Sequence, residues 1–139
     1  MNEYESVKVV IDILSRSDLL DELIEFLELF ENKKLVPKNI LGYDLYFYGY
    51  TKAKKFIKAI EYGEKVLDHC EDTQQKVSTH ANLGKVYLSA NKPLKALESY
   101  EYMVNNSDLP DELLLDYSAA LFACNRKKES YNVVKKLEE

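Results

Sequence analysis

Tryptophan is missing altogether, and turn-forming residues are scarce: the 139 residues include four glycines and three prolines. An all-β domain of this length needs many tight turns, and so few breakers cannot supply them. Cysteine is limited to Cys70 and Cys124, which is no disulfide framework and points to a reducing compartment. The opening MNEYESVKVV has neither the basic flank nor the apolar core of a secretory leader. No run approaches about 18 apolar residues, so no membrane insertion is expected and a cytoplasmic location is. Basic excess is lacking too. The net charge is −5 and the isoelectric point near 5.2, which disfavours bulk attraction to nucleic acid or anionic lipid. There is no glycine-rich phosphate loop.

What is present is helix-forming. Hydrophobic residues make up 46% and charged residues 31%, the balance of one globular domain. Val7, Val10, Ile11 and Leu14 recur at helical spacing, and so do Leu23, Phe26, Leu27 and Phe30. Asp18 is expected to cap the second of these segments, and Pro37 lies beyond its end. An all-α chain of about seven or eight short helices follows.

The chain also repeats itself. FIKAIEYGEKVL at 56–67 and PLKALESYEYMV at 93–104 align at an offset of 37, with Ala59 over Ala96 and Glu64 over Glu101. Further on, SYNVVKKL at 130–137 takes the same place, with Ser130 as the small residue. A small residue at a fixed helical position lets a neighbouring helix approach closely.

Residues 77–110 resemble a tetratricopeptide repeat. Leu83, Gly84, Tyr87, Ala96 and Tyr100 stand at that family's spacing, with Pro110 two places late. His80 and Met103 depart from the pattern, the first from a bulky aromatic and the second from a small residue. The resemblance implies a right-handed α-solenoid of antiparallel helix pairs. Its register gives a unit over 40–73, with helices near 40–52 and 55–69, and another over 111–139. In the latter Asp111 starts the first helix, and Tyr117, Ser118, Leu121, Ser130 and Val134 hold the pattern places. Residues 3–36 form a weaker or capping hairpin, with Val9, Val10, Ile13, Glu22 and Phe26 in register.

The stretch YDLYFYGYTKAKKF, 43–56, packs four tyrosines and a phenylalanine into its first eight positions. Tyr43, Tyr46, Phe47 and Tyr50 share one helical face and are expected to be core. Phe47 stands where the family has glycine, and Tyr48 points to the other side.

Chemistry-bearing constellations are not expected. His69 and Cys70 are adjacent, so on a helix they point apart, and no second ligand pair lies at metal spacing. His80 is read as a packed residue, and no nucleophile–base–acid set is evident. The reading is a non-catalytic chain with no metal and no cofactor.

What remains is surface. The resemblance implies a concave groove that takes an extended peptide or a helix of a partner protein. Its lining would be Asp44, Tyr48, Thr51 and Lys52, then Ser78, Ala81, Asn82, Lys85 and Ser89, then Glu112, Leu115, Asp116 and Ala119. The family's clamp for a terminal carboxylate is not expected here. Only Asn82 fits it, and Glu112 and Asp116 would repel the ligand. Those acids favour a peptide carrying Lys or Arg. Tyr131, Val134 and Leu137 are expected to lie partly uncovered at the last helix. Two alternatives to groove binding therefore stand: an oligomerisation or scaffold module acting through its end faces, and a targeting domain of a larger enzyme such as a glycosyltransferase or kinase. An RNA-binding helical repeat is disfavoured by the acidic balance.

Overall fold

The computed structural model describes residues 2–138. Among them are eight α-helices, no strand, and a closing 3-10 turn at Lys136–Glu138. The helices are α1 (Glu3–Arg16), α2 (Leu20–Lys33), α3 (Ile40–Lys52), α4 (Phe56–His69), α5 (Thr73–Ser89), α6 (Pro93–Asn106), α7 (Asp111–Ala123) and α8 (Lys127–Lys135). The chain forms two compact units, Met1–His69 and Cys70–Glu139.

Four helical hairpins share one turn. Each pair is joined by three residues, and the middle one is left-handed: Asp18, Lys54, Asn91 and Asn125, with φ between 59° and 65°. In each turn the following N–H reaches back to a carbonyl five residues earlier. These bonds are Leu19 to Leu14, Lys55 to Tyr50, Lys92 to Tyr87, and Arg126 to Leu121, at 2.8–3.0 Å. This is the motif by which a left-handed residue closes a helix and satisfies its last carbonyls. Aspartate and asparagine tolerate that conformation better than most residues, which suits three of the four positions. Asp18 therefore ends α1 and does not cap α2. Leu19 occupies the α2 N-cap and makes no side-chain cap bond. Side-chain caps occur instead on helices that open hairpins: Asn2, Asn39 and Asp72 accept from Glu5, Gly42 and Gln75 N–H.

In the first unit α1 packs on α2 and α3, α2 on α3, and α3 on α4. The turns put the hairpins in register and correct the expectation for 3–36. Five residues beyond each left-handed residue stand Leu23, Ala59, Ala96 and Ser130, so Leu23 holds the small-residue place and not Glu22. Leu23, Leu27 and Ile11 are fully buried, whereas Glu22 is exposed, as are Val9 (41%), Val10 (36%) and Ile13 (51%). The first hairpin runs one residue out of step, and its register anchor is a leucine that no pattern for small residues can find. Gly49 lets α3 settle on this hairpin. A Cβ there would lie 2.6 Å from Leu27 Cδ2 and 3.3 Å from Ile11 Cδ1.

In the second unit α5 packs on α6 and α7, α6 on α7, and α7 on α8. Leu83, Gly84, Tyr87, Ala96 and Tyr100 are all buried at the α5–α6 crossing. At the α7–α8 crossing Ser118 and Ser130 are buried with their hydroxyls 2.8 Å apart, so the two small residues also bond. Phe47, seven residues before its turn, stands where α5 has Gly84. Gly63, nine residues after, stands where α6 has Tyr100. Phe47 and Gly63 are both buried. At these two places large and small have exchanged helices.

Candidate partner-binding faces

The groove residues expected in the first unit lie on α3, and α1 engages two of them. Tyr48 is half-buried and its hydroxyl donates to Asp12 of α1. The ammonium groups of Lys8 and Lys52 sit 4.6 and 5.5 Å from its ring centre. In the reverse sense Tyr4 of α1 donates to Asp44 at 3.1 Å. Burial first, then the charge and hydrogen bond of the neighbouring aspartate, pushes both the Tyr48 and Tyr4 hydroxyls up to about 12. Thr51 donates to its own helix, to the Phe47 carbonyl at 2.7 Å. Of the four, Lys52 is the exposed one. Asp44 and Tyr48 thus help tie α3 to α1, and their partners, Tyr4 for the first and Lys8 and Asp12 for the second, were not expected from the sequence. Their signal was available: 4, 8, 12 on α1 and 44, 48, 52 on α3 are matching stripes at i, i+4 spacing.

The tyrosine cluster has a carboxylate at its centre. Tyr46, Phe47 and Tyr50 are buried as expected, and Tyr43 is half-buried. Glu31, near the end of α2, accepts from the hydroxyls of Tyr50 and Tyr62, the latter at 2.6 Å, and pairs with Lys58 at 3.2 Å. The Tyr50 and Tyr62 rings stack with an interplanar angle of 5°. Burial, reinforced by Glu31, holds the Tyr62 hydroxyl far above the ordinary tyrosine range. This is a packed polar lock between α2, α3 and α4. An apolar cleft of about 610 Å³ also opens in this unit, lined by Tyr4, Val7, Phe30, Leu35, Leu41 and Leu45 among others. It was not expected from the sequence.

In the second unit the expected face is open. Ser78, Asn82, Lys85 and Ser89 are exposed on α5, where Ala81 is half-buried. On α7, Glu112, Leu115 and Ala119 are exposed and Asp116 is half-buried. Lys85 Nζ meets Glu112 Oε1 at 2.5 Å. That bond raises the Lys85 ammonium and lowers the Glu112 carboxyl. Asp116 differs. Burial raises its carboxyl above the usual range although Lys85 pulls the other way, and no hydrogen bond to it is found among the described residues. The two acids grouped by the sequence reading are therefore unlike: Glu112 is neutralised, and Asp116 is desolvated and available.

Among the described residues no group of three His, Cys, Asp or Glu is placed to hold a metal ion. His69 is exposed and its Nδ1 lies 2.8 Å from the Lys65 carbonyl. Cys70 is buried, with its thiol 3.4 Å from both the Asp72 carbonyl and Gln75 Oε1. His80 packs 4.4 Å from the Tyr102 ring, with Nδ1 3.1 Å from Ser99 Oγ, and burial lowers its pKa. No described helix is long and apolar enough to cross a membrane. Compared with known proteins, the chain matches no family model and no curated protein.

Proposed function

We propose that the chain is a non-catalytic protein-interaction module of tetratricopeptide type, its hairpins stacked as a right-handed solenoid. The partner is an extended peptide or helix with a Lys or Arg beside an apolar residue. The α5–α7 face receives it: Asp116 takes the cation, Asn82 offers an amide to the partner backbone, and exposed Leu115 gives apolar contact. The observation that carries this reading is Asp116, a half-buried carboxylate with a raised pKa on an otherwise solvated face. A partner cation there would offset the loss of hydration that burial imposes on it. The four identical turns support the repeat reading, because one turn geometry recurs where the sequence repeat is weakest.

The test is a fluorescence-polarisation screen of Lys- and Arg-bearing peptides against matched acidic ones, at dilutions where the protein is monomeric. Basic peptides should bind, and Asp116→Asn should weaken them by about tenfold while leaving the helical circular dichroism unchanged. Preference for acidic peptides, or basic binding untouched by Asp116→Asn, would refute the reading.

A further inference from the structure

The two ends of the hairpin series carry apolar faces that elsewhere in the chain are covered. Ile13 lies five residues before its left-handed turn residue. The same place in the other hairpins holds Gly49, Val86 and Ala120, all buried. Ile13 is 51% exposed. Val134 lies nine residues after its turn residue, where the others have Leu27, Gly63 and Tyr100, again all buried. Val134 is 38% exposed and Tyr131, one turn earlier on α8, is 63% exposed.

Within each unit these are the places through which one hairpin meets the next. Within the first unit Leu27 of one hairpin fills the space over Gly49 of the next. Within the second unit Tyr100 of one hairpin lies 6.2 Å, ring to ring, from Tyr117 of the next. Tyr117 is the counterpart of exposed Val10. Both junctions, carried to the ends of the series, pair Val134 with Ile13 and Val10. The size relation suits the exchange. Where Leu27 meets a glycine, the smaller Val134 would meet an isoleucine.

Charge favours the same pairing. Residues 3–33, which hold α1 and α2, carry nine acids and three bases. Residues 126–136, which hold α8, carry five bases and one acid, ahead of the final two glutamates. Lys135 lies over the Tyr131 ring at 5.4 Å, so the basic charge is on the apolar face itself.

We propose that the occupant of the α8 face is the α1–α2 hairpin of a second copy of this chain, with Val134 and Tyr131 against Val10 and Ile13. The contact is head-to-tail: each copy offers one α1 face and one α8 face, so association continues past the dimer unless a ring closes. It is independent of the peptide-binding reading.

Sedimentation velocity on the full chain over a wide concentration range tests this. The wild type should gain mass with concentration beyond two copies, and lose that mass as salt screens the charges. Ile13→Asp, which blocks the α1 face, and Val134→Asp, which blocks the α8 face, should each weaken association by about tenfold or more. An equimolar mixture of the two should form a dimer and nothing larger, since one sound face of each kind remains. Val10→Asp and Tyr131→Asp repeat the experiment if either first variant loses helicity. A mass of one chain at every concentration overturns the proposal. So does a single variant that still dimerises with itself, which would mark a self-complementary face.

Discussion

Gly84 of α5 lies directly under the ring of Tyr100 on α6, so close that a Cβ on Gly84 would come within 2.7 Å of the ring Cζ. Tyr100 is fully buried, and its hydroxyl has no hydrogen-bond partner among the described residues. Burial also raises its pKa strongly, so it stays protonated at any ordinary pH. Gly84→Ala should therefore destabilise the protein by about 1–3 kcal/mol, through overpacking against a ring with no free side to move into. Tyr100→Phe should act in the opposite direction, adding about 1 kcal/mol, because it removes an unsatisfied buried hydroxyl and keeps the ring. Urea unfolding of the two variants checks both signs. A neutral Gly84→Ala would mean that α5 and α6 are not held at this spacing.

The exchange of large and small residues between hairpins makes a second expectation. Phe47→Gly alone should cost about 3–5 kcal/mol, as a buried aromatic is lost to a cavity. Gly63→Tyr alone should cost about 1–3 kcal/mol by overpacking. Together they rebuild in the second hairpin the Gly84–Tyr100 arrangement of the third. The double variant should then be at least about 1 kcal/mol more stable than the sum of the single costs. Simple additivity in denaturant melts would show that the two positions do not share a crossing.

His80 gives a pH dependence with a definite sign. Burial, then the nearby Lys76 charge, lowers its pKa below the ordinary histidine value of 6.5. The unfolded chain therefore binds the proton more readily than the folded one. The contribution of neutral His80 is fully present above pH 6.5 and is lost as pH falls through the lower folded value. Stability measured between pH 7 and pH 5 should drop, and His80→Gln should flatten that part of the profile. An unchanged slope in the variant would place the acid sensitivity elsewhere.

Much of this architecture could be read from the residues. The helices at 40–52 and 93–104, the stripe of Tyr46, Phe47 and Tyr50, and the crossing of Gly84 and Ala96 beside Tyr87 and Tyr100 all follow from spacing and size. They are local facts: helical period decides which residues share a face, and a small residue marks where another helix comes close. Less could be read where the partner is distant in sequence. The face of Tyr48 was assigned, but not that Asp12, 36 residues earlier, accepts its hydroxyl. Glu112 and Asp116 look alike in the sequence, but Lys85 bonds to Glu112 and acts on Asp116 only through its charge.

The sequence by itself determined the helical hairpins, the small-residue crossings in three of them, and the absence of strands among the described residues. It did so because those features depend on near neighbours along the chain. Only the tertiary structure decided the register of the first hairpin, where Leu23 replaces the small residue, and the exposure of Ile13 at a place that is buried in the other hairpins. Periodicity defines an apolar face but is silent on which neighbour covers it. On α3 and α7 the preceding hairpin of the same unit does, and on α1 the same face is left bare.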